Sequence, residues 1–293
     1  MTAITTIGLL GYGEVGQTLA EDLHRCCGAE LIAYDLLFTT QGSAPCAGLD
    51  SQPYVTAAAS PEQLARQSDL IISAVTAAQD IIAAESIAGA LRDGAFFLDL
   101  NSVSPETKHR CATLIDTVGG RYVEAAVLSP IHPLRIASPI LLGGPNAQEF
   151  LPLSATLGFS GASVFSTAIG GASAVKMCRS VVIKGLEALF TECLVSARQY
   201  RVEEEVIESI DDLLTSRNCR SLAQYMLERS IMHGVRRAEE MREVVTTVAA
   251  SGVDPWMSEA CVNRQQWAAQ FSAALEHDDL ASILDSIRSE MTC

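Results

Sequence analysis

Through residue 167 the chain alternates short apolar runs with stretches of helical spacing, and this alternation limits its fold more than any other feature. Apolar runs of four to eight residues bounded by turn signals read as strands. Apolar residues recurring every three or four positions read as helices. "TTIGLLGY" passes into "EVGQTLAEDLHRCC", which stops at Gly28. "ELIAYD" is a second strand. "SPEQLARQ" opens a helix with Ser60 as N-cap and Pro61 at the first helical position. "DLIISAVT" is apolar on both faces, as a central parallel strand is. The helix "AQDIIAAESIAGALRDG", the strand "AFFLDLNS" and a second Ser-Pro helix start in "SPETKHRCATLIDTVGG" follow. "RYVEAAVLS", "PILLGG" and "ASVFST" read as further strands, and "NAQEFLPLSATLG" as a helix carrying a proline. Repeated units of this kind predict an α/β fold, a Rossmann-type doubly wound parallel sheet with helices on both faces.

From about residue 168 the strand signals stop. "SAVKMCRSVVIKGLEALFTECLVSARQY" reads as one helix, and helical patterns continue to the end of the chain. The expected organisation is a dinucleotide-binding domain over 1–167 and an all-α domain over 168–293, with the boundary near Thr167–Gly170. At 293 residues, two domains is also the prior from length.

Gly11-Tyr12-Gly13-Glu14-Val15-Gly16 fits G-x-G-x-x-G. It follows a strand, opens a helix and stands about twenty residues before Asp35 at the end of the next strand, which is the context the motif requires. Gly11 permits the tight turn, Gly13 lets the backbone approach a pyrophosphate, and Gly16 lets the helix lie against the strand. Asp35 is placed to accept hydrogen bonds from the adenine ribose, and no arginine follows it to receive a 2′-phosphate. NAD is therefore expected over NADP. Ligands of such sheets sit beyond the carboxyl ends of the strands. There stand Val75-Thr76, the polar "DLNSVSP" with Asn101 and Ser102, and Ser129-Pro130. Asn101 and Ser102 are read as contacts for the nicotinamide ribose or a substrate carboxylate, with turn chemistry as the alternative.

Lys176 heads the long helix in "GGASAVKMCRS". Lysine is seldom buried without a reason. The small residues around it leave room for a substrate, and the helix begins where the predicted domains meet, a common place for a cleft.

Three motifs together, GYGEVG, DLNSVSP and GGASAVK, resemble in order and spacing those of the β-hydroxyacid dehydrogenase superfamily. That group includes 6-phosphogluconate, 3-hydroxyisobutyrate and tartronate-semialdehyde dehydrogenases. "MHGVRRAEEMREV" and "WMSEACVNRQQW" resemble a phosphogluconate-dehydrogenase-like subgroup with its own helical C-terminal domain. The resemblance implies that Lys176 is the catalytic residue, exchanging a proton with a substrate hydroxyl while hydride passes to or from a nicotinamide. It implies a small, anionic hydroxy acid, or its keto or semialdehyde form, as substrate. Ser129, Arg179, Ser180 and His233 are substrate-binding candidates, and Arg237 sits near the family's nicotinamide-side lysine. A charged cluster at His233, Arg236 and Arg237, paired with Glu239 and Glu240, is the alternative reading. The family dimerises through its helical domain, so a homodimer is expected.

Three positions depart from the family pattern. Ser180 stands where an asparagine is usual, Pro130-Ile131 where the substrate loop reads Gly-Gly, and Asn101 where a serine is usual. An unusual substrate on the same scaffold, reached by imine reduction or by oxidation coupled to isomerisation, is one alternative. A dinucleotide-binding sensor without turnover is another.

Composition closes other routes. A net charge of −15 repels phosphate backbones, which argues against a nucleic-acid partner. Nine cysteines without a C-x-x-C pair suit reduced thiols in a cytoplasmic protein and no metal. The first residues run straight into the glycine motif, so they read as a strand and not a signal peptide. No apolar run is long enough to span a membrane. His24, His109 and His277 read as surface residues.

Overall fold

The structure, a computed structural model, describes residues 4–215 and 218–291. The chain divides into two compact units, Met1–Val181 and Val182–Cys293.

In the first unit, eight strands form one sheet. They are β1 (Thr6–Leu10), β2 (Glu30–Tyr34), β3 (Val55–Ala57), β4 (Leu70–Ser73), β5 (Phe96–Asp99), β6 (Arg121–Val127), β7 (Ile140–Gly143) and β8 (Ala162–Ser166). Their order is β3-β2-β1-β4-β5-β6-β7-β8. The first six are mutually parallel, and the order reverses between β1 and β4. Helices α1 (Glu14–Cys26), α2 (Ala44–Ser51), α3 (Pro61–Gln67), α4 (Asp80–Ala88), α5 (Pro105–Thr117) and α6 (Ala147–Thr156) connect them.

The apolar runs explain the layers. Side chains alternate across a strand, so a run apolar at every position fills both faces. Leu70, Ile72, Phe96 and Leu98 join a core with Leu19, Leu23 and Phe150 on one side of the sheet. Ile71 and Phe97 join Leu64, Ile87, Ile115 and Tyr122 on the other. The Ser-Pro starts behave as read: Ser60 accepts from Gln63 N and Ser104 from Thr107 N, each with proline in the first helical turn.

Two features differ from the expectation. The sheet is not wholly parallel. β7 runs antiparallel to β6, and β8 runs parallel to β7. Between Val127 and Ile140 the only helical turn is a short 3-10 stretch, Arg135–Ala137, so no crossover helix carries the chain back and β7 returns alongside β6. Helix α2 and edge strand β3 also lie in 36–59, where the apolar pattern names no element.

Helix α7 (Gly171–Tyr200) begins in the first unit and continues into the second. The units divide inside this helix rather than near Thr167–Gly170. Its first turn is tied to β6: the buried Glu124 carboxylate accepts from Gly170 N at 2.7 Å and from Ser173 N at 2.6 Å.

The second unit is helical throughout its described residues, with the rest of α7, then α8 (Glu203–Thr215), α9 (Cys219–Ala250), α10 (Trp256–Ala268) and α11 (Leu280–Met291). Glu192 of α7 takes the first amides of α10, accepting from Met257 N at 2.7 Å and Ser258 N at 2.9 Å. Gly234 lets α9 and α10 touch, because a Cβ there would stand 2.3 Å from the Gln265 carbonyl oxygen. Among the described residues, no helix is long and apolar enough to cross a membrane, and eight cysteines are free thiols.

Candidate active site

A cleft of about 210 Å³ opens at the carboxyl ends of β1, β4, β5 and β6, at the point where the strand order reverses. Val15 of α1 and Ala74, Val75 and Ala77 line one side. Leu100, Asn101 and Ser102 follow β5, Val127, Ser129 and Ile131 come from β6 and its loop, and Lys176 enters from α7. All of these belong to the first unit.

The glycine turn is shaped for a ligand. Gly11 has φ +94°, and a Cβ there would stand 2.5 Å from the Ala74 carbonyl oxygen. At Gly16 a Cβ would stand 2.3 Å from the Gly11 carbonyl oxygen. Both glycines are required by the fold. Gly13 is different: its φ is −73°, and a Cβ would meet nothing within 4 Å. It begins α1 with no side-chain cap, so the first N–H groups of the helix remain available to an anion. Space over Gly13 with uncapped amides beneath it fits a pyrophosphate. Gly16→Ala is expected to cost roughly 1–3 kcal/mol of stability from overpacking against backbone. Gly13→Ser, which keeps a good N-cap, is expected to leave stability within about 0.5 kcal/mol. It is also expected to weaken dinucleotide binding at least about tenfold by filling the phosphate space. Denaturant unfolding and calorimetric titration with NAD read the two effects separately.

Asp35 accepts from Tyr12 N at 2.8 Å and from Leu37 N at 2.9 Å, so it joins the end of β2 to the glycine turn. The residues after it, Leu36 to Thr40, carry no cation. Tyr12 corrects an expectation. Its ring is fully buried, its hydroxyl donates to Gln52, and its amide is already held by Asp35, so only its neighbours face the ligand space. Glu14 stands exposed in the first turn of α1, 4.0 Å from His132 Nε2 of the β6–β7 loop.

Asn101 is also spent inside the protein. Its Oδ1 accepts from Val75 N at 2.7 Å, while its Nδ2 donates to Ser73 Oγ at 2.9 Å and to Asp80 Oδ1 at 2.7 Å. The side-chain amide therefore cross-links the ends of β4 and β5 and is not offered to a ligand. Ser102 beside it is exposed in the cleft, and Thr76 is exposed next to Val75. Ser129 lines the cleft with a buried hydroxyl oxygen that has no partner in the protein.

Lys176 is half-buried. Burial first, then the charges of Lys108 and Arg179, push its ammonium down from the ordinary lysine range to about 8. A lysine near 10.4 is unprotonated in only about one molecule in 2,500 at pH 7, whereas one at about 8 is unprotonated in about one in ten. Lys176 can therefore both accept and donate a proton near neutrality. Arg179 is exposed one turn along. Ser180 turns its hydroxyl back onto the helix, donating to the Lys176 carbonyl at 2.8 Å, so it offers no hydrogen to the cleft in this geometry. His233 and Arg237 stand on α9 of the second unit, each half-buried, and Arg236 beside them pairs with Glu240.

Beneath the floor lies a polar cluster that the sequence does not announce. Lys108 of α5 is buried, with Nζ 2.7 Å from Asp99 Oδ1 and 3.1 Å from the Asp99 carbonyl oxygen. Asp99 also accepts from Tyr122 Oη at 2.6 Å and Asn101 N at 2.9 Å. Asp80 is fully buried and its Oδ2 has no partner in the protein. Burial, and then Asp99, push the Asp80 carboxyl above the usual range. Burial, Asp80 and Asp99 push the Cys111 thiol up to about 12. Periodicity marks residue 108 only as one polar position on an amphipathic helix, which is why the sequence passes over it.

Comparison with known proteins fits this geometry. The model of the NAD binding domain of 6-phosphogluconate dehydrogenase matches residues 6–168, and that of a domain of unknown function matches residues 197–268. A conserved hypothetical protein from Sinorhizobium meliloti is 34% identical, with 92% of this chain and 90% of that one covered and a TM-score of 0.59. The mitochondrial 3-hydroxyisobutyrate dehydrogenase of Drosophila melanogaster is 24% identical over 180 residues, 60% of this chain and 53% of that protein. A reductive aminase from Aspergillus terreus, solved with NADPH and ethyl levulinate, shares the fold at 19% identity, with 98% and 100% coverage and a TM-score of 0.70.

Proposed function

The chain belongs to the β-hydroxyacid dehydrogenase-like superfamily, and on that premise we propose that it is an NAD-dependent oxidoreductase acting on a small hydroxy acid or its keto or semialdehyde form. Its scaffold is that of a dinucleotide-binding oxidoreductase. The observation that carries the finer reading is Lys176, half-buried in the strand-end cleft with its ammonium brought down to about 8.

The nicotinamide dinucleotide supplies hydride exchange. The turn Gly11–Gly16 and the open amides of α1 hold its pyrophosphate. Asp35 accepts from the adenine ribose with its remaining lone pairs, and its charge disfavours a 2′-phosphate. The Aspergillus terreus reductive aminase was solved with NADPH, so NADP is the comparison cofactor in every assay. Val75, which lines the cleft, and exposed Thr76 would hold the nicotinamide end of the cofactor. Neutral Lys176 takes the hydroxyl proton during oxidation, and protonated Lys176 returns it to the carbonyl oxygen during reduction. The unpaired Ser129 hydroxyl and exposed Ser102 hold the substrate's polar end, and Arg179 supplies charge for an anionic group. Arg237 stands where the family pattern has a lysine for the nicotinamide side, and His233 remains a substrate-binding candidate on the same helix. In this reading the first unit carries the cofactor groove together with Ser102, Ser129, Lys176 and Arg179, and the second is the dimerisation unit.

The test is a turnover screen of purified protein with NAD and with NADP against small hydroxy acids, their keto forms, cyclic imines and amines. The reading predicts NAD-linked turnover of a hydroxy acid. Dinucleotide binding without turnover of any compound sinks it in favour of a sensor, and turnover confined to imines moves the chain to the other reductive chemistry.

A homodimer through the helical unit is part of this reading. Trp256 is 72% exposed and Val235 65% exposed. An apolar hollow of about 460 Å³ lies between α7, α8 and α9, lined by residues such as Phe190, Val206 and Val244. Surface of this kind marks an interaction site. Sedimentation analysis is expected to give twice the chain mass, and Phe190→Glu is expected to shift the species to monomer.

A further inference from the structure

We propose that Asp80 and Asn101 are a matched pair that fixes the cleft wall at Val75, with Asp80 as a positioning residue that acts through Asn101 to hold this wall for the nicotinamide end of the cofactor. The cofactor role rests on the reading of the cleft as a dinucleotide site, whereas the pairing is tested without any ligand.

β4 ends at Ser73, and Ala74 N still continues the ladder by donating to the Leu10 carbonyl at 2.8 Å. One residue later the chain has left the sheet. Val75 N donates instead to a side chain, Asn101 Oδ1, at 2.7 Å. Val75 lines the cleft, and a Cβ at Gly11 would stand 2.9 Å from Val75 Cγ1. Val75 therefore stands where the cleft meets the glycine turn.

Asn101 holds Val75 only while its amide keeps one orientation. A backbone N–H needs the amide oxygen, so the NH₂ group must lie on the other side. There it donates to Ser73 Oγ at 2.9 Å and to Asp80 Oδ1 at 2.7 Å. A hydroxyl both donates and accepts, so Ser73 does not choose between the two ends of an amide. A carboxylate oxygen only accepts, so Asp80 does choose. Asp80 is fully buried and stands first in α4, yet that helix has no side-chain cap. Asp99 and Cys111 each place a polar atom within 4.8 Å of it. Among the described residues, the N–H group that reaches it is that of Asn101. Enclosing an acid is costly, and what this one secures is an asparagine that cannot turn. A serine, usual in the family at position 101, has a single oxygen and hydrogen and could not make these three bonds. The asparagine at 101 and the buried acid at 80 thus account for each other.

On a purely structural account the pair only ties β4 to β5. The two accounts separate in the full chain carrying Asp80→Ala, Asn101→Ala, or the exchange Asp80→Asn with Asn101→Asp. In the exchange an amide at 80 donates to a carboxylate at 101, which still accepts from Val75, and the Ser73 hydroxyl turns to donate. Amide exchange without ligand, read by NMR, gives the protection of Val75 against that of Ile71 and Phe97 in the middle of β4 and β5. Calorimetry gives the affinities for NAD and for ADP, which carries the adenosine and two phosphates but neither the second ribose nor the nicotinamide.

Each single variant is expected to lose at least about tenfold of the Val75 protection relative to Ile71 and Phe97. Each is also expected to bind NAD about tenfold more weakly while ADP affinity stays within about threefold. The exchange is expected to bring both quantities back to within about threefold of wild type. Wild-type protection of Val75 in Asp80→Ala overturns the proposal, because Asn101 then holds the wall alone. Protection lost equally at all three amides, with NAD and ADP affinities falling together, also overturns it in favour of the structural account. If the single variants do not fold, the exchange decides: a folded protein with Val75 protected supports the pair, and failure to recover, folded or not, overturns it. A wild type that binds neither NAD nor ADP removes the dinucleotide reading, and the Val75 protection still decides the pair.

Discussion

Lys176→Met is expected to lower turnover by about 10²–10⁴-fold, the range for loss of a general acid–base group, while NAD affinity stays within about twofold. The side chain is unbranched and of similar length, so the half-buried stem is replaced by one that packs in the same place. Only the amine is lost. Without it no group in the cleft can carry the hydroxyl proton near pH 8: the other polar side chains lining it are Asn101, Ser102 and Ser129. Stopped-flow turnover and calorimetric titration of the same preparation separate the two quantities. An equal loss of both would mean that the lysine shapes the cofactor site and leaves the chemistry to another group.

Glu124→Gln is expected to destabilise the first unit by about 2–4 kcal/mol and to reduce turnover with it. Both oxygens of Glu124 accept from backbone amides at the start of α7, one from Gly170 and one from Ser173. These are charge-assisted bonds at the positive end of a helix. A glutamine offers one oxygen and one N–H₂ group, so one amide must face a donor. Gly143 keeps this place open for the carboxylate, because a Cβ there would stand 2.5 Å from Glu124 Oε2. Lys176 is held by this first turn. Amide exchange at Gly170 and Ser173 is expected to accelerate on the order of a hundredfold in the variant, in line with the lost free energy. Unchanged exchange there would show that the helix start is held by something other than Glu124.

What the sequence made legible follows from the range of each signal. Periodicity and turn residues are local, so the strands, the Ser-Pro helix starts and the long α7 could be read directly. The glycine turn and Asp35 are separated by one helix and share a known context. The contacts that hold the lysine are different in kind. Glu124 lies 46 residues from Gly170, and Lys108 lies 9 from Asp99 but pairs with it only because α5 packs on the sheet. A buried acid on a strand and a buried lysine on a helix look like ordinary polar positions until the partner is known. Asn101 reads from sequence as a ligand contact because it sits at a strand end, whereas packing turns its amide inward to Val75, Ser73 and Asp80. The reversal at β7 was hidden for the same reason: an apolar run carries no direction.

The departure from asparagine to Ser180 suggests an altered contact, and its hydroxyl is bonded to the Lys176 carbonyl. Substrate choice in this chain is therefore expected not to depend on a hydrogen bond from residue 180.

The most direct test of Lys176 as the proton carrier is the pH dependence of turnover in both directions with the responding substrate. Oxidation requires the free amine, so its kcat should rise about tenfold per unit below the midpoint and level off above about 8. Reduction requires the ammonium, so its kcat should fall through the same midpoint. Both limbs should vanish in Lys176→Met. Profiles that are flat across pH 8, or that keep their midpoint in Lys176→Met, would contradict the assignment.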